Sequence, residues 1–387
     1  MTKLAGFEFT KYIKYNNSGE IIALRALNLR QGELDLTDIK RIDKSVSELL
    51  PRSKLYSGDI LLTYTGNGYG DCALISENDR YHLAPNICKI TPDIQKIDSY
   101  FLYSYIRSKA FYQQMSNHMV GSSQPTIPMR AIRELKVPFP SLEKQKKIKV
   151  ILSTLDGKIR INHAINDNLY AQAKATTKQW ISKSTGDYEL LPLSDIASIN
   201  PDTYSPKETW KYVNYLDTSS ITEGCIAEIQ HITPSSEKLP SRARRKIAPN
   251  DIVFSTVRPN QRHYGIISEP LPNMLGSTGF AVIRSKNPLV CNELIYLCLT
   301  ENEFIEKMQQ LAEQSTSTFP SIKPSDLGVC EIPCPKDQSS TSFTETLKSL
   351  FALIAANQRE NISLSEIRDD LLPKLMSGEI DVSDIQL

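Results

Sequence analysis

The sequence predicts a mixed α/β (α+β) protein that contains an internal repeat. Two globular units are separated by two long helices, which pack as an antiparallel coiled coil with pseudo-two-fold symmetry. Related segments recur at a nearly constant offset, and each half ends in a long run of apolar residues with 4-3 spacing. The predicted segments are a first unit at 1–140, a first helix at 141–183, a second unit at 184–336, and a second helix with a tail at 337–387.

The repeat is visible in short segments. "GDILLTYTG" at 58–66 resembles "NDIVFSTVR" at 250–258, an offset of 192 residues. The junctions "QPTIPMRAIRELKVPFPSLEKQKKI" (124–148) and "FPSIKPSDLGVCEIPCP" (319–335) share prolines at an offset of 195. β-Branched and apolar runs predict strands in equivalent places, including one across each junction at Glu134–Lys136 and Val329–Glu331. The other predicted elements are strands at Ile60–Tyr64, Ile87–Ile90, Ile252–Thr256 and Phe280–Ile283, and helices at Ser99–His118 and Glu293–Glu313.

A long 4-3 pattern follows each junction and predicts the seam of a coiled coil. Both copies carry asparagines at equivalent seam positions, where asparagine costs stability but selects one register. Ser141 is a suitable N-cap for the first helix, and Gly378 a suitable stop for the second. The predicted seam is Ile148, Leu152, Leu155, Ile159, Asn162, Asn166 and Leu169 in the first helix, and Phe343, Leu347, Leu350, Ile354, Asn357, Asn361 and Leu364 in the second.

Composition excludes several classes of protein. At 40% hydrophobic and 23% charged residues, the 387-residue chain has the balance of a globular protein with more than one core. It lacks an apolar run of eighteen residues and a signal-like N-terminus, so we expect no membrane span and a cytoplasmic location. The seven cysteines form no Cys-x-x-Cys pair, which favours reduced thiols over a zinc site.

Charge is distributed unevenly along the chain. Residues 1–183 carry 27 Lys and Arg against 17 Asp and Glu, whereas residues 184–387 carry 18 against 27. This pattern favours a polyanionic partner for the first half, and it requires local clusters of cations in the second half. Two ordinary surfaces of opposite sign remain an alternative.

Motifs for catalysis are incomplete. Asn200-Pro201-Asp202-Thr203-Tyr204 lacks the second proline of the corresponding loop in amino-methyltransferases. "TGNGYG" at 65–70 lacks the lysine of a phosphate-binding loop, and the five histidines are scattered. We therefore expect no catalytic residues and no metal site, which makes a binding protein the better prediction than an autonomous metal nuclease.

Two loops of the second unit have the chemistry of DNA readout. "SRARRK" at 241–246 is basic, and "RPNQRHYG" at 258–265 combines arginine with side-chain amides. Arginine can bond guanine bidentately, and Asn or Gln can bond adenine. The corresponding first-unit loop, "TYTGNGYGD" at 63–71, is uncharged as far as Asp71, so the two loops are suited to different targets. The predicted DNA-contacting residues are Thr65, Asn67, Tyr69, Ser122, Ser123, Gln124, Arg242, Arg244, Arg245, Lys246, Arg258, Asn260, Gln261, Arg262, His263, Tyr264, Ser277, Thr278, Ser317 and Thr318.

The order of these segments resembles a known family. A globular unit, "PFPSLEKQKKIKVILSTLDGKI" (138–159), a second globular unit and "LLPKLMSGEI" (371–380) together resemble the specificity subunit of type I restriction-modification systems. The resemblance implies a non-catalytic chain whose two target-recognition domains each read half of a split, asymmetric DNA site in the major groove. The helices would set the gap between the half-sites.

The resemblance also implies partners. Two methyltransferase (modification) subunits would bind the helices and methylate adenine N6 with S-adenosylmethionine. Two restriction/translocase subunits would add ATP- and Mg-dependent endonuclease activity, with no cofactor bound by this chain itself. The alternatives are a specificity subunit of a two-subunit cutting-and-methylating system and an architectural coiled-coil scaffold that does not read DNA. The second junction lacks Glu143-x-Gln145, and the first unit has no N-terminal counterpart of "LLPLSDIASINP" (190–201).

Overall fold

The computed structural model describes residues 1–30, 32–66, 68–121, 125–183, 186–205, 207–315 and 319–385. The chain divides into two compact units, and each long helix contributes to both. The first unit comprises Met1–Ile161 with Glu360–Leu387, and the second comprises Asn162–Arg359. The mixed α/β fold predicted from the sequence is confirmed. Each long helix is divided between the two compact units, whereas the segments predicted from the sequence kept the helices apart from the units, at 141–183 and 337–387.

The first unit contains two main sheets. One has the order β1-β9-β6-β7, and the other has the order β5-β2-β8, in which β2 and β8 run parallel. The strands are β1 Thr2–Lys3, β2 Ile21–Leu24, β3 Leu29–Arg30, β4 Glu33–Leu34, β5 Lys40–Ile42, β6 Ile60–Thr63, β7 Cys72–Leu74, β8 Tyr81–Leu83 and β9 Ile87–Ile90. The helices are α1 Gly6–Tyr12, α2 Lys44–Leu49, α3 Ser99–Ile106, α4 Lys109–Ser116, α5 Met129–Glu134 and the long α6 Leu142–Lys183.

The second unit repeats this topology with additions. Its sheets have the orders β11-β20-β17-β18 and β15-β12-β19-β16, again with one parallel pair, β12 with β19; a further pair joins β10 to β21. The strands are β10 Tyr188–Pro192, β11 Ala197–Ile199, β12 Val213–Leu216, β13 Ile221–Thr222, β14 Cys225–Ile226, β15 Gln230–Ile232, β16 Ala243–Lys246, β17 Asp251–Ser255, β18 Tyr264–Ile267, β19 Met274–Ser277, β20 Phe280–Ser285 and β21 Glu331–Pro335. The helices are α7 Leu193–Ile196, α8 Asn292–Leu299, α9 Asn302–Glu313, α10 Pro324–Gly328 and the long α11 Thr341–Ser377.

The repeat extends to individual backbone hydrogen bonds. In the first unit Ile127 donates to the Tyr64 carbonyl at 2.8 Å, and in the second unit Ile322 donates to the Thr256 carbonyl at 2.9 Å. Both bonds follow the sequence offsets of 192 and 195 residues. The prolines of the junctions therefore lie where each junction closes against the end of the central strand, β6 or β17.

The helices pack antiparallel within each unit, as the seam predicted. In the second unit Asn357 Nδ2 donates to Asn166 Oδ1 at 2.8 Å, and Trp180 stacks on Phe343 with ring centroids 4.5 Å apart. In the first unit Lys158 lies 3.2 Å from Glu360. The Asn166–Asn357 pair satisfies polar groups that would otherwise be costly in an apolar seam, which supports one register.

Two predictions of local structure are wrong. Each predicted helix at 99–118 and 293–313 is two helices, broken after Ile106 and after Leu299. Ser108 causes the first break because its hydroxyl accepts from the Phe111 N–H and caps the new helix. The predicted strand at Glu134–Lys136 is also absent from the described residues, because Glu134 ends α5 and Leu135 and Lys136 lie in no strand. In the second junction the strand is β21, Glu331–Pro335, so only the last residue of the predicted Val329–Glu331 belongs to it.

The C-terminal tail supplies an element that the first unit lacks at its N-terminus. Val382–Ile385 read Val-Ser-Asp-Ile, and α7 of the second unit reads Leu-Ser-Asp-Ile. Val382 is buried in the core of the first unit as Leu193 is in the second, and Lys147 Nζ donates to the Ser383 carbonyl at 2.6 Å. The segment "LLPLSDIASINP" thus has its counterpart in two places, in this tail and in β1.

Gln145 of the Glu-x-Gln motif is a buried structural residue. Its Oε1 accepts from the Asp98 N–H at 2.8 Å, and its Nε2 donates to the carbonyls of Lys96 at 3.1 Å and Pro140 at 2.8 Å. The side chain therefore fixes the start of α6 against the loop before α3. The equivalent residue in the second unit is Ser340, whose hydroxyl accepts from Trp180 Nε1 at 3.1 Å. The Glu-x-Gln motif is missing from the second junction because the start of α11 is fixed by Trp180 of α6, whereas the start of α6 is fixed by the loop before α3.

We expect Gln145→Leu to lower the free energy of unfolding by about 1–3 kcal/mol, because it removes three hydrogen bonds between a buried amide and partly buried backbone groups. Chemical denaturation measures the difference. Glu143→Gln, at an exposed position two residues earlier, is the control and should change stability by less than about 0.5 kcal/mol. Equal effects of the two substitutions would contradict the structural role of the Gln145 amide.

Candidate nucleic-acid interface

In the second unit, the predicted DNA-contacting residues gather at one set of strand ends. Thr278 N–H donates to the Arg242 carbonyl, and both the N–H and the hydroxyl of Thr256 donate to the Gly279 carbonyl, at 2.8–2.9 Å. These bonds show that the start of β16 and the ends of β17 and β19 lie side by side. Arg258, two residues after Thr256, lies at the same place. We call this surface the second loop cluster: Arg242–Arg245, Thr256–His263 and Thr278–Gly279.

Two predicted cations are already bound within the protein: Arg262 of this cluster and Lys246, which follows Arg245. Lys246 Nζ lies 2.7 Å from Glu208 Oε2. Arg262 Nη1 lies 3.3 Å from Glu223 Oε1, while its Nη2 donates to Asn302 Oδ1 at 2.8 Å. Both side chains therefore stabilise loops, and a contact with DNA would require them to leave these partners.

Four arginines of the cluster have no carboxylate within salt-bridge distance in the described part of the chain. Arg242 is exposed, and Arg244 Nε donates to the Ser241 carbonyl at 3.2 Å. Arg245 Nε is buried without a hydrogen-bond partner, and burial lowers the pKa of this guanidinium. Arg258 packs on the Phe319 ring, with 5.0 Å from Cζ to the centroid. These guanidinium groups give the surface an uncompensated positive charge, the property that attracts phosphate backbones.

Burial separates the remaining predicted residues into two groups. Tyr264 is only 4% exposed and stacks on Phe254, while Ser277 is fully buried, so neither side chain reaches the surface. His263 is half-buried, with Nδ1 2.6 Å from the Ile221 carbonyl. The exposed residues that retain polar groups for readout are Asn260, Gln261 and Thr278.

The corresponding loop of the first unit is neutral and rich in hydroxyl groups. Thr65 Oγ1 lies 2.8 Å from Thr126 Oγ1. Tyr69 stacks on Tyr112 with centroids 5.2 Å apart, and the Tyr112 hydroxyl donates to the Tyr69 hydroxyl at 2.7 Å. The pKa of Tyr112 is raised to about 12, mainly by the hydrogen bond to Tyr69 and secondly by burial. We call Thr65–Asp71 with Tyr112 the first loop cluster, of which Asn67 is not described.

Other predicted contacts cannot be placed. Asn67, Ser122, Ser123, Gln124, Ser317 and Thr318 lie outside the described residues. Sequence reasoning also missed Tyr112 and Phe319, which contact the two loop clusters. Tyr112 lies in a predicted helix, so nothing in the sequence places it next to the loop. The only indication for Phe319 is its position immediately before Pro320, one of the repeated prolines.

The described helices contain no stretch long and apolar enough to cross a membrane. Within the described ranges, no group of three or more His, Cys, Asp or Glu residues is arranged to hold a metal ion.

Asp71 closes the first loop cluster and has an unusual environment. Its N–H donates to the Gly68 carbonyl, and its carbonyl accepts from the Thr63 N–H at 2.8 Å. Burial raises the pKa of the Asp71 carboxyl to about 6, although Arg30 partly opposes this effect. A raised pKa means that folding disfavours the ionised form, so stability falls as pH rises from the ordinary value near 4 through about 6.

We expect Asp71→Asn to be more stable than the parent chain at pH 8, with a smaller advantage at pH 5, because the amide cannot ionise. Thermal unfolding midpoints at the two pH values measure this. Asp79→Asn, at an exposed site, is the control for the general effect of removing a carboxylate. An advantage of Asp71→Asn that is greater at pH 5 would contradict the raised pKa.

The chain is similar to known proteins over most of its length. A family model described as type I restriction modification DNA specificity domain matches residues 6–171. The chain is 21% identical to the type I restriction enzyme HindI specificity subunit of Haemophilus influenzae, over 97% of this chain and 96% of that protein. It is 24% identical to the type I restriction enzyme MjaIX specificity subunit of Methanocaldococcus jannaschii, over 74% of this chain and 70% of that protein.

The fold also matches a solved structure. The S subunit of the type I restriction-modification system from M. genitalium aligns with a TM-score of 0.50 at 15% identity, covering 96% of this chain and 91% of that chain. The resemblance predicted from the sequence is therefore confirmed: the chain is similar, along nearly its whole length, to a specificity subunit of a type I restriction enzyme, and residues 6–171 match the model of the type I restriction modification DNA specificity domain.

Proposed function

We propose that this chain is the non-catalytic DNA sequence-recognition subunit of a type I restriction-modification complex. One observation carries the proposal: two units of the same topology present loop clusters of different chemistry on equivalent strand ends. The first cluster offers hydroxyl groups and one carboxyl, and the second offers guanidinium and amide groups. A repeated scaffold with unlike loops is suited to reading two different halves of one asymmetric site.

The second cluster supports DNA as the ligand because its unpaired arginines suit both kinds of contact that DNA-binding proteins make. Contacts with phosphate fix orientation, and contacts with base edges specify sequence. Exposed Arg242 is suited to the first kind of contact, and the Thr256–His263 loop is suited to the second. Major-groove readout fits this division because the groove presents a different pattern of donors and acceptors for each base pair.

The long helices support the docking of protein partners. In the first unit Val150, Ile161 and Ile362 are 40–61% exposed on these helices, and in the second unit Leu353 is 54% exposed. Apolar side chains exposed on a helix surface are suited to contact with another protein. We assign this surface to two methyltransferase subunits, which would supply S-adenosylmethionine; restriction/translocase subunits would supply the ATP- and Mg-dependent steps.

Two alternatives remain. A two-subunit system would place cutting and methylation in one partner, and it is distinguished by the subunits that co-purify with the chain. An architectural scaffold would assemble with partners without reading DNA. The unpaired arginines of the second loop cluster favour DNA readout over the scaffold.

Exchanging residues 188–318 for the same segment of a relative with another target should change one half of the methylated site only, because the first loop cluster is untouched. Sequencing that detects N6-methyladenine in host DNA measures the change. The matched control is exchange of the first-unit segment 1–135, which should change only the other half. Changes in both halves from one exchange would contradict independent reading, and methylation without any sequence preference would contradict the proposed function.

Lengthening the helices should lengthen the gap between the half-sites. Four residues inserted after Ile161 and four after Arg359 fall at the boundaries of the compact units and so preserve the contacts inside each. They add about 6 Å of helix at 1.5 Å per residue, which corresponds to at most about two base-pair steps. The same methylation mapping measures the gap. An unchanged gap would contradict the role of the helices as spacers.

A further inference from the structure

We propose that Arg258 is the residue that reads guanine in the second half-site, and that Gly66 occupies the same reading position, without a side chain, in the first unit. This inference rests on the proposed function, and it adds a base identity and a single specificity-determining position. It also separates Arg258 from Arg242 of the second loop cluster, which is suited to phosphate.

The two positions are structurally equivalent. The Gly66 N–H donates to the Pro125 carbonyl at 2.8 Å, and the Arg258 N–H donates to the Pro320 carbonyl at 2.9 Å. The residue before each, Thr65 or Val257, forms an isolated β-bridge with the junction. Each junction therefore holds the first residue of its loop in the same place, although the loops that follow differ.

The backbone conformation is also shared. Gly66 has φ +83° and Arg258 has φ +48°, both in the left-handed region. Glycine enters this region without steric cost, whereas arginine pays about 1–2 kcal/mol. A strained side-chain-bearing residue at a position where the repeat carries glycine indicates that the side chain itself is needed.

Arg262 holds the Arg258 loop in shape. It also has a left-handed backbone, φ +57°, and closes the short 3₁₀ turn Pro259–Gln261. Its ties to Glu223 and Asn302 connect this turn to the β13–β14 hairpin and to α9. Arg262 is thus a positioning residue, and its guanidinium is occupied.

Arg258 differs because its guanidinium has no carboxylate partner among the described residues. It lies over the Phe319 ring, a contact that orients the planar group and leaves its N–H donors available. Guanidinium presents two parallel donors, and guanine presents the matching acceptors O6 and N7 in the major groove. Lysine would keep the charge but lose this fork.

The first unit offers no such donor at the equivalent place. A Cβ atom built on Gly66 would meet no atom of the described residues within 4 Å, so the position is open. In the first loop cluster, base contacts would be made by the neighbouring hydroxyl groups and by the Asp71 carboxyl, which can accept from an exocyclic amine of cytosine. The shared scaffold thus places a donor in one half-site and leaves that place empty in the other.

The test uses the purified complex of this chain with its own modification subunits and competition binding to duplexes changed one base pair at a time. Arg258→Gly is the variant of choice, because glycine keeps the left-handed backbone as Gly66 does. It should lower discrimination at one guanine of the second half-site by roughly 5- to 150-fold, with the first half-site unchanged. Arg258→Lys should not restore it. An unfolding midpoint at or above that of the parent shows that the fold is retained.

Arg242→Ala is the matched comparison and should weaken binding to every duplex alike, with a salt dependence reduced by about one ion. Gly66→Arg should add a preference for guanine in the first half-site; an unchanged preference would overturn the equivalence of the two positions. If Arg258→Gly weakens all duplexes equally, Arg258 contacts phosphate and the inference is overturned while the proposed function stands. If the unaltered complex prefers no sequence, both are overturned.

Discussion

Neither globular unit closes its core with its own strands and short helices, and this constraint shapes the rest of the molecule. The core of the first unit includes Ile148 and Leu152 from α6 and Leu375 from α11. The core of the second unit includes Trp180 from α6 and Leu347 from α11. Because the same helices provide the seam and the cores, each loop cluster is fixed to the helices of its own unit through packed apolar side chains.

The two units fasten their helices with different chemistry. In the first, Asp156 accepts from Tyr100 at 2.5 Å, from Arg107 at 3.0 Å and from Arg368 at 2.9 Å. Burial opposes ionisation of this carboxyl, but Arg107, Tyr100 and Arg368 outweigh burial and hold its pKa below the usual range. The equivalent position in the second unit is Phe351, 195 residues later, which packs edge-on against aromatic rings. An ion cluster requires each partner in place, whereas an aromatic cluster tolerates small shifts.

Sequence predicted the features that are carried by spacing. The repeat and the central strands follow from the offsets, and the seam positions of Asn166 and Asn357 follow from the 4-3 pattern, which depends on residues within a few turns. Features set by distant partners were not predictable: Ser277 is buried in β19, where it pairs with Ala243 of β16, and Lys246 is bound by Glu208, 38 positions away. The site was therefore predicted as a set of loops, and the structure decides which side chains in those loops are available.

The division of the chain has a consequence for synthesis. The second unit is one continuous stretch, Asn162–Arg359, whereas the first needs Glu360–Leu387 to cover Ile148 and Leu152. At roughly 5–20 residues per second, a ribosome takes about 10–40 s to make the intervening segment. During that time the first unit has an incomplete core and exposes apolar surface, which is where aggregation begins and chaperones bind. The part of the protein made first is thus completed last.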